Sequence, residues 1–238
     1  EPAAMTVSSS ADNRLVFNLN GEEVIANADG SALFDDGGLL AFSDLHLEKG
    51  RALSRTTPIP GYDTMATLDA LEAAIRRDNP RKLLFLGDSF HRSHLAESLD
   101  DDHRRRINTL AEGRDVIWLV GNHDPALPSW LPGQAADDYL SRTIRFRHIA
   151  SPDAMGGEVS GHYHPKARIK TRARAISGRC FIHDGRRMIM PAFGAYTGGL
   201  SVLDPSIGRF FPGKAEILFC HACRIYRYPY SHASQLER

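Results

Sequence analysis

Short apolar runs that end abruptly in polar residues recur along this chain. In Trp118-Leu-Val-Gly-Asn-His-Asp124, a predicted strand over residues 116–120 stops at Gly121 and is followed by an amide, an imidazole and a carboxylate. The runs over residues 39–42 and 82–86 end in the same way, in Ser43-Asp-Leu-His46 and Gly87-Asp-Ser-Phe-His91. Buried strands of a parallel sheet read as near-continuous apolar runs, and their carboxyl ends meet at one edge. We therefore expect these polar residues to lie close together.

The segments between these runs predict helices that cross from strand to strand. Asp63 is the predicted cap of a helix over residues 64–77, and further helices are predicted over residues 96–112 and 135–139. Hairpin signals occur at Asn20-Gly21 and Asp29-Gly30. In the last third of the chain, apolar and polar residues alternate with period two, which predicts strands, and turns are predicted at Ser177-Gly178 and Asp184-Gly185. This pattern predicts an α/β protein of mixed sheets covered by helices, in one domain over residues 14–238 after a disordered tail over residues 1–13.

The composition is that of an ordinary globular chain with no global preference for an anionic partner. The 238 residues are 42% hydrophobic and 24% charged, and 29 basic residues balance 29 acidic ones. No apolar run approaches the ~20 residues of a membrane span, and the first residues lack the charged and apolar segments of a signal peptide. We therefore expect a cytoplasmic protein in which any nucleic-acid footprint is local.

The three cysteines do not predict a disulfide framework, because their number is odd and small. Cys220-His-Ala-Cys223 has the spacing of half a zinc site or of a redox pair. No second CxxC is present in the sequence, so an incidental spacing is the favoured interpretation.

Residues of metal-binding type follow each predicted strand end. They are Asp44, His46, Asp88, His91, Asn122, His123, Asp124, His148, His162 and His164. Carboxylate, amide and imidazole groups without thiolates suit a divalent cation of the manganese, iron or zinc kind. Seven of these side chains are plausible ligands, which is too many for one ion and fits two ions that share a carboxylate.

Each motif alone has an ordinary structural explanation. Asp-Leu-His is typical of a capped turn, Gly-Asp is common after strands for backbone reasons, and His148 alone would be an ordinary core or surface histidine. Gly161-His-Tyr-His164 is more specific, because histidines at i and i+2 of an extended segment face the same side. The occurrence of all these motifs in this order, each after an apolar run, favours a metal site.

In this order the motifs resemble the signature of the calcineurin-like metallophosphoesterases, which is Asp-x-His, Gly-Asp-x-x-His/Asp, Gly-Asn-His-Asp/Glu, a single His and Gly-His-x-His. Within that family the sequence is most similar to the ligase-associated DNA damage response endonucleases of PdeM type. The narrower resemblance is carried by Phe42-Ser-Asp-Leu-His-Leu-Glu-Lys-Gly50, Tyr62-Asp-Thr64, Gly161-His-Tyr-His-Pro165 and Pro191-Ala-Phe-Gly-Ala-Tyr-Thr-Gly-Gly-Leu200.

The resemblance implies a four-layer αββα sandwich of two mixed sheets flanked by helices, with two metal ions between the sheet edges. By position in the family motifs, Asp44, His46 and His164 would hold one ion, and Asn122, His148 and His162 would hold the other. Asp88 would bridge the ions, His123 would face the substrate with Asp124 behind it, and His91 would support the ligands. Manganese is the expected metal, with iron and zinc as alternatives.

This set of residues would hydrolyse a phosphodiester by in-line attack of a hydroxide that bridges the two ions. Two divalent cations neutralise the anionic phosphate and lower the pKa of the attacking water. The leaving alkoxide needs a proton, which His123 would supply as a general acid with its tautomer set by Asp124.

A row of cations follows the last of these motifs. Lys166, Arg168, Lys170, Arg172 and Arg174 alternate with Ala, Ile, Thr and Ala. On one continuous strand, period two would place all five on the same face over roughly 26 Å, at ~3.3 Å per residue. Such a row could track a phosphate backbone. The alternative is a solvated strand whose charges protect it from edge pairing.

The favoured function is a DNA endonuclease that prefers single strands, and two alternatives stay open. The first is a phosphatase or a phosphodiesterase of small molecules or nucleotides, because the motifs do not separate diesters from monoesters. The second is a metal-free scaffold on the same fold, which would lack the ligands that this chain retains. The resemblance also implies a role in DNA repair with ligase and helicase proteins. We expect no membrane partner, and a homodimer is one form of assembly that stays open.

Overall fold

The computed structural model describes residues 13–48, 62–90, 99–123, 127–170, 175–195 and 197–233, without the side chains of Lys170 and His232. The predictions made for His91, Asp124, Arg172 and Arg174 lie outside the described residues, and so does the predicted disordered tail up to residue 12.

The first sheet begins as an antiparallel meander and continues as a parallel sheet. Its strands lie in sequence order. They are β1 (Arg14–Leu19), β2 (Glu22–Asn27), β3 (Ala32–Phe34), β4 (Leu39–Phe42), β5 (Lys82–Phe85), β6 (Asp115–Leu119) and β7 (Gln134–Ala136). Pairing is antiparallel as far as β4, and parallel from β4 through β5 and β6 to β7.

The second sheet is also mixed, with the order β15-β14-β12-β13-β10-β9-β8 and with β11 attached to β12. Its strands are β8 (Asp138–Ser141), β9 (Ile144–Arg147), β10 (Gly157–Ser160), β11 (Lys166–Lys170), β12 (Ala175–His183), β13 (Arg187–Ile189), β14 (Glu216–His221) and β15 (Arg224–Pro229). Strand β10 lies parallel to both β9 and β13, and the other pairings are antiparallel.

The two sheets pack face to face, and helices cover their outer faces. Strand β5 shows why its sequence is continuously apolar: Leu84 packs in the core between the sheets, whereas Leu83 and Phe85 pack against the helices. Helices α1 (Tyr62–Asp78) and α2 (Asp101–Ala111) cover the first sheet, and the single turn α3 (Pro205–Gly208) packs on the second. The predicted sandwich of two mixed sheets with flanking helices is confirmed. Within the part of the chain that the structure describes, none of the helices has the length and apolarity needed to cross a bilayer.

The helix predicted over residues 135–139 is wrong. This segment contains β7 and the start of β8, which are separated at Asp137. Strand β7 continues the parallel ladder beyond β6, and β8 pairs with β9. Five residues are too few to hold a helix without tertiary support, so pairing with the open edges of β6 and β9 outweighs the helix propensity of the two alanines.

Two further local predictions are corrected by packing. The second helix begins at Asp101, because Asp100 is extended and its carboxylate accepts a hydrogen bond from the His103 N–H as a cap. Ser177-Gly178 lies inside β12 and forms no turn. A Cβ at Gly178 would lie 2.7 Å from the Cys220 carbonyl oxygen, so this glycine permits close packing within the sheet.

The CxxC segment forms the tight turn between β14 and β15. Ala222 and Cys223 both have left-handed backbone, with φ of 49° and 59°. Cys220 is buried, Cys223 is exposed, and burial raises the pKa of the Cys220 thiol to about 12. A thiol with so high a pKa supplies little thiolate, so this geometry gives no support to a metal-binding or redox role.

Candidate metal centre

The carboxyl ends of five strands from both sheets converge on one place. Asp44 follows β4, Asp88 follows β5, and Asn122 and His123 follow β6, three strands that run parallel in the first sheet. His148 follows β9, and His162 and His164 follow β10, which lies parallel to β9 in the second sheet. The sheets are joined here, because the Asp44 carboxylate accepts a hydrogen bond of 2.8 Å from the His162 N–H. The predicted convergence of the strand ends is confirmed.

The first of two ligand clusters contains Asp44, His46 and His164. The Nε2 atoms of the two histidines face each other at 3.2 Å. Asp44 Oδ1 lies 3.1 Å from His164 Nε2 and 3.9 Å from His46 Nε2. The other oxygen of Asp44 accepts a hydrogen bond from the Ser43 hydroxyl, which orients the carboxylate. Two imidazole nitrogens and a carboxylate oxygen directed at one point form a donor set that suits a divalent cation.

The second cluster contains Asp88, His148 and His162, with the Asn122 amide beside it. His148 Nδ1 is 2.8 Å from the Leu86 carbonyl oxygen, which can only accept, so Nδ1 carries the proton. In the neutral ring, Nε2 then has a free lone pair. It lies 2.9 Å from Asn122 Oδ1, 3.3 Å from Asp88 Oδ2 and 3.2 Å from His162 Nδ1. Such a group of electron-pair donors around one point needs a positive charge, and a cation would supply it.

His123 lies beside Asp88 of the second cluster and near His46 of the first. The Asp88 carboxylate accepts a hydrogen bond of 2.9 Å from the His123 N–H, and its other oxygen is 4.0 Å from His123 Nε2. The His123 ring is also 5.6 Å from the His46 ring, centroid to centroid. The side chain of Asp88 is 3% exposed, whereas that of His123 is 44% exposed. The carboxylate therefore belongs to the interior of the centre, and His123 lies at its surface.

The backbone at the centre adopts a conformation that L-residues rarely use. Five predicted ligands have φ between 46° and 73°, in the left-handed region. They are Asp44, His46, Asp88, His162 and His164. Backbone of this kind is unfavourable and clusters at functional sites, where the surrounding packing imposes it. Here it turns each chain sharply after its strand, so that side chains close in sequence can point at the same place.

The electrostatics of the centre keep its carboxylates ionised. Burial opposes ionisation of Asp44, but the imidazoles of His164 and His148 and the Ser43 hydroxyl outweigh it and lower the pKa of Asp44 to about 2. Burial likewise opposes ionisation of Asp88, yet the His148 imidazole and the His123 N–H lower its pKa below the usual value. Burial and the neighbouring His148 lower the pKa of His162, which favours the neutral form that binds metals.

Gly87 is required by the close approach of His148. Its φ is +86°, and a Cβ there would lie 2.6 Å from His148 Nδ1. Gly87→Ala should therefore displace the imidazole and weaken metal binding at the second cluster by at least the ~10–100-fold that follows loss of a ligand's hydrogen-bond partner. Metal content after dialysis, measured by mass spectrometry, checks this.

Gly185→Ala is the matched control for this substitution. Gly185 has a similar φ of +84°, but a Cβ there would meet nothing within 4 Å. It should cost only the backbone strain, about 1 kcal/mol of unfolding free energy, and leave the metal content unchanged. Equal metal content in the two variants would contradict the assignment of His148 as a ligand.

All seven predicted ligands come together in the structure, and His123 lies beside them. Their roles as ligands and as proton donor stay predictions, and His91 and Asp124 lie outside the described residues. The sequence interpretation assigned no role to Ser43, Gly161 or Gly194, although all three lie in the motifs that carry the resemblance. A Cβ at Gly161 would lie 1.9 Å from Ser43 Oγ, and a Cβ at Gly194 would lie 2.0 Å from the Leu45 carbonyl oxygen. The position of each of the three inside a motif was the available signal.

The prediction that the five cations lie on one continuous strand is wrong. Strand β11 ends at Lys170, and the chain returns antiparallel along β12, with Lys170 paired to Ala175. Ala167 and Ile169 are buried and Arg168 is exposed, so the period-two alternation holds within β11. A hairpin and a long strand share the same alternation, which is why sequence could not separate them.

Comparison with known proteins agrees with this geometry. The family model of calcineurin-like phosphoesterases matches residues 38–189. The crystal structure of Pseudomonas putida nuclease MPE is similar in fold, with a TM-score of 0.69 and 24% sequence identity over 91% of this chain and 100% of that one. A search of curated proteins gave no match.

Proposed function

This chain belongs to the calcineurin-like phosphoesterase family, and we propose that it is a metal-dependent phosphodiesterase that cuts DNA, with a preference for single strands. The observation that carries the proposal is the pair of adjacent ligand clusters, Asp44/His46/His164 and Asp88/His148/His162. Two clusters side by side fit the two-ion arrangement used for in-line displacement at phosphorus. The nuclease name of the similar Pseudomonas putida structure supports a nucleic acid as the substrate.

The ligands are assigned by position in the family motifs, and the two side-chain clusters support this assignment. Asp44, His46 and His164 would hold one ion, and Asn122, His148 and His162 the other, with Asp88 between them. When bound, the ions would neutralise the phosphate charge and lower the pKa of a water molecule to near neutrality. Manganese is the proposed metal, with iron and zinc as alternatives.

The role of His123 in this proposal is to hold a proton for the leaving group. Its side chain is half-exposed at the surface of the centre, where a bound diester would lie, and its Nε2 is 4.0 Å from the Asp88 carboxylate. The departing alkoxide of a DNA strand is a poor leaving group, so proton donation from this position would assist bond cleavage. Asp124 is proposed to set the orientation of the ring.

The cellular setting is proposed on family resemblance. It comprises a cytoplasmic location, a role in DNA repair and functional association with ligase and helicase proteins, with a homodimer as one form of assembly. The runner-up function is a phosphatase or a phosphodiesterase of small molecules or nucleotides, which the same two clusters would also serve.

Nicking of circular single-stranded DNA in the presence of Mn²⁺ tests the proposed function. Hydrolysis of bis-nitrophenyl phosphate and mono-nitrophenyl phosphate is measured in parallel, because the first is a diester and the second a monoester. We expect nicking and diester hydrolysis that a chelator abolishes and added Mn²⁺ restores. Monoester turnover without nicking would instead support the phosphatase or small-molecule phosphodiesterase. If manganese, iron and zinc all gave no turnover of any substrate, the result would support a metal-free scaffold.

A further inference from the structure

A small groove with two cationic side chains lies between the paired strands β11 and β12 on one side and residues 192–195 and 197 on the other. Its volume is about 240 Å³. Lys166, Ser177 and Arg179 line one wall, and Gly194, Ala195 and Thr197 line the other. We call this feature the hairpin groove. The cross-strand register pairs Lys166 with Arg179 and Arg168 with Ser177, and directly paired residues face the same side of a sheet.

Both walls of the hairpin groove are connected directly to residues of the metal centre. The Phe193 N–H donates to the Ser43 carbonyl at 2.7 Å, and the Gly194 N–H donates to the Asp44 carbonyl at 3.2 Å. On the other wall, Lys166 follows the predicted ligand His164 by two residues. A phosphate bound in the groove would therefore be a near neighbour of a phosphate at the first ligand cluster.

The positive charges of the groove are held in place but are not neutralised. Lys166 Nζ donates to the Thr197 carbonyl at 3.0 Å, and Arg179 Nη1 donates to the Ala192 and Phe193 carbonyls, at 3.2 Å each. Neither side chain forms an ion pair with a carboxylate among the residues that the structure describes. Both are half-buried. A half-buried cation bonded only to neutral carbonyl groups retains its capacity to bind an anion.

We propose that the hairpin groove binds a phosphate of the substrate strand next to the phosphate that is cut, through Lys166 and Arg179. This inference rests on the proposed function and specifies how the centre selects a polymer. Arg179 offers a planar fork of donors that matches a phosphate, and Lys166 adds a point charge. A substrate with only one phosphate cannot use the groove, whereas a DNA strand places a second phosphate close to the first.

The test compares a polymeric with a single-phosphate substrate in the variant Lys166→Gln/Arg179→Gln. The kcat/KM for a single-stranded oligonucleotide is divided by the kcat/KM for bis-nitrophenyl phosphate, both with Mn²⁺. We expect this ratio to fall about 10- to 100-fold relative to the wild type, which is typical for loss of charge-assisted hydrogen bonds. The slope of log KM against log salt for the oligonucleotide should also decrease by about 0.7, because one phosphate contact is lost.

Arg209→Gln/Lys214→Gln is the matched control, because it removes the same charge at exposed positions outside the groove. It should leave the ratio unchanged. Lys166→Arg/Arg179→Lys keeps both charges and should retain most of the wild-type ratio even if the carbonyl contacts change. Thermal unfolding and metal content of each variant show whether it is folded.

The possible outcomes separate the two proposals. A wild type that cuts DNA, together with a glutamine variant whose ratio and salt slope are unchanged, overturns the groove proposal and leaves the proposed function intact. A wild type that hydrolyses the nitrophenyl esters but not DNA overturns the proposed function and the groove proposal with it. If this double variant does not fold, the single variants Lys166→Gln and Arg179→Gln are measured in its place. A slope lowered by up to about 0.7 in either one supports the groove, and unchanged slopes in both overturn it.

Discussion

Asp88→Asn should abolish most activity and remove bound metal from the centre. Asparagine tolerates the left-handed φ of 48° at this position and can still accept the hydrogen bond from the His123 N–H. The substitution therefore removes the negative charge with little change in backbone. The centre then lacks the negative charge that Asp88 is proposed to supply to both cations, and the neutral His148 and His162 nitrogens cannot replace it. Because metal ions contribute several kcal/mol to transition-state stabilisation, we expect turnover to fall roughly 1,000-fold or more.

Metal content and diester hydrolysis of Asp88→Asn are measured against Asp78→Asn. The Asp78 carboxylate is also buried, but it pairs with Arg14 and Arg77 at the other end of α1. Its loss should lower stability and leave metal content unchanged, which separates the effect of a lost buried charge from the effect of a lost ligand. If Asp88→Asn retained two ions per chain, Asp88 would not be a ligand.

His123→Ala should keep the metal ions and lose most turnover of DNA. The ring lies at the surface of the centre, and the backbone N–H that bonds Asp88 survives the substitution. Loss of a general acid typically costs ~10²–10⁴-fold in rate. The loss should be smaller for bis-nitrophenyl phosphate, because nitrophenolate leaves readily without a proton. The kcat for each substrate, with metal content as a check, measures this difference.

His221→Ala controls for the loss of a histidine, because His221 ends β14 and belongs to neither ligand cluster. It should leave both rates unchanged. Equal losses of His123→Ala on DNA and on the nitrophenyl diester would contradict the proton-donor role and indicate a contact that binds the phosphate. Substitutions at two adjacent residues would thus have different effects. Loss of Asn122, a proposed ligand, should lower metal content, whereas loss of His123, the proposed proton donor, should lower turnover with the metal retained.

Much of the layout of the centre was predictable because it depends on short-range patterns. The apolar runs of β4, β5 and β6 predict buried parallel strands, and their ends place Asp44, Asp88 and Asn122 at one sheet edge. The fold class followed from the alternation of strands and helices together with the family motifs. These features are local in sequence, since each requires only a strand and the two or three residues after it.

Other features depend on contacts between distant segments, and only the tertiary structure decided them. The sequence determined which side chains follow the strand ends, because burial of apolar residues selects the strands. Pairing of β11 with β12 decided that β11 ends at Lys170, and it brought Arg179 opposite Lys166. Packing between the two sheets decided the left-handed backbone at the ligands and the need for Gly161 and Gly194. Period-two alternation is identical in a long strand and in a hairpin, so the sequence could not predict where β11 ends. Close contact between distant backbone segments leaves no local pattern either, so the sequence could not explain why Gly161 and Gly194 are glycines.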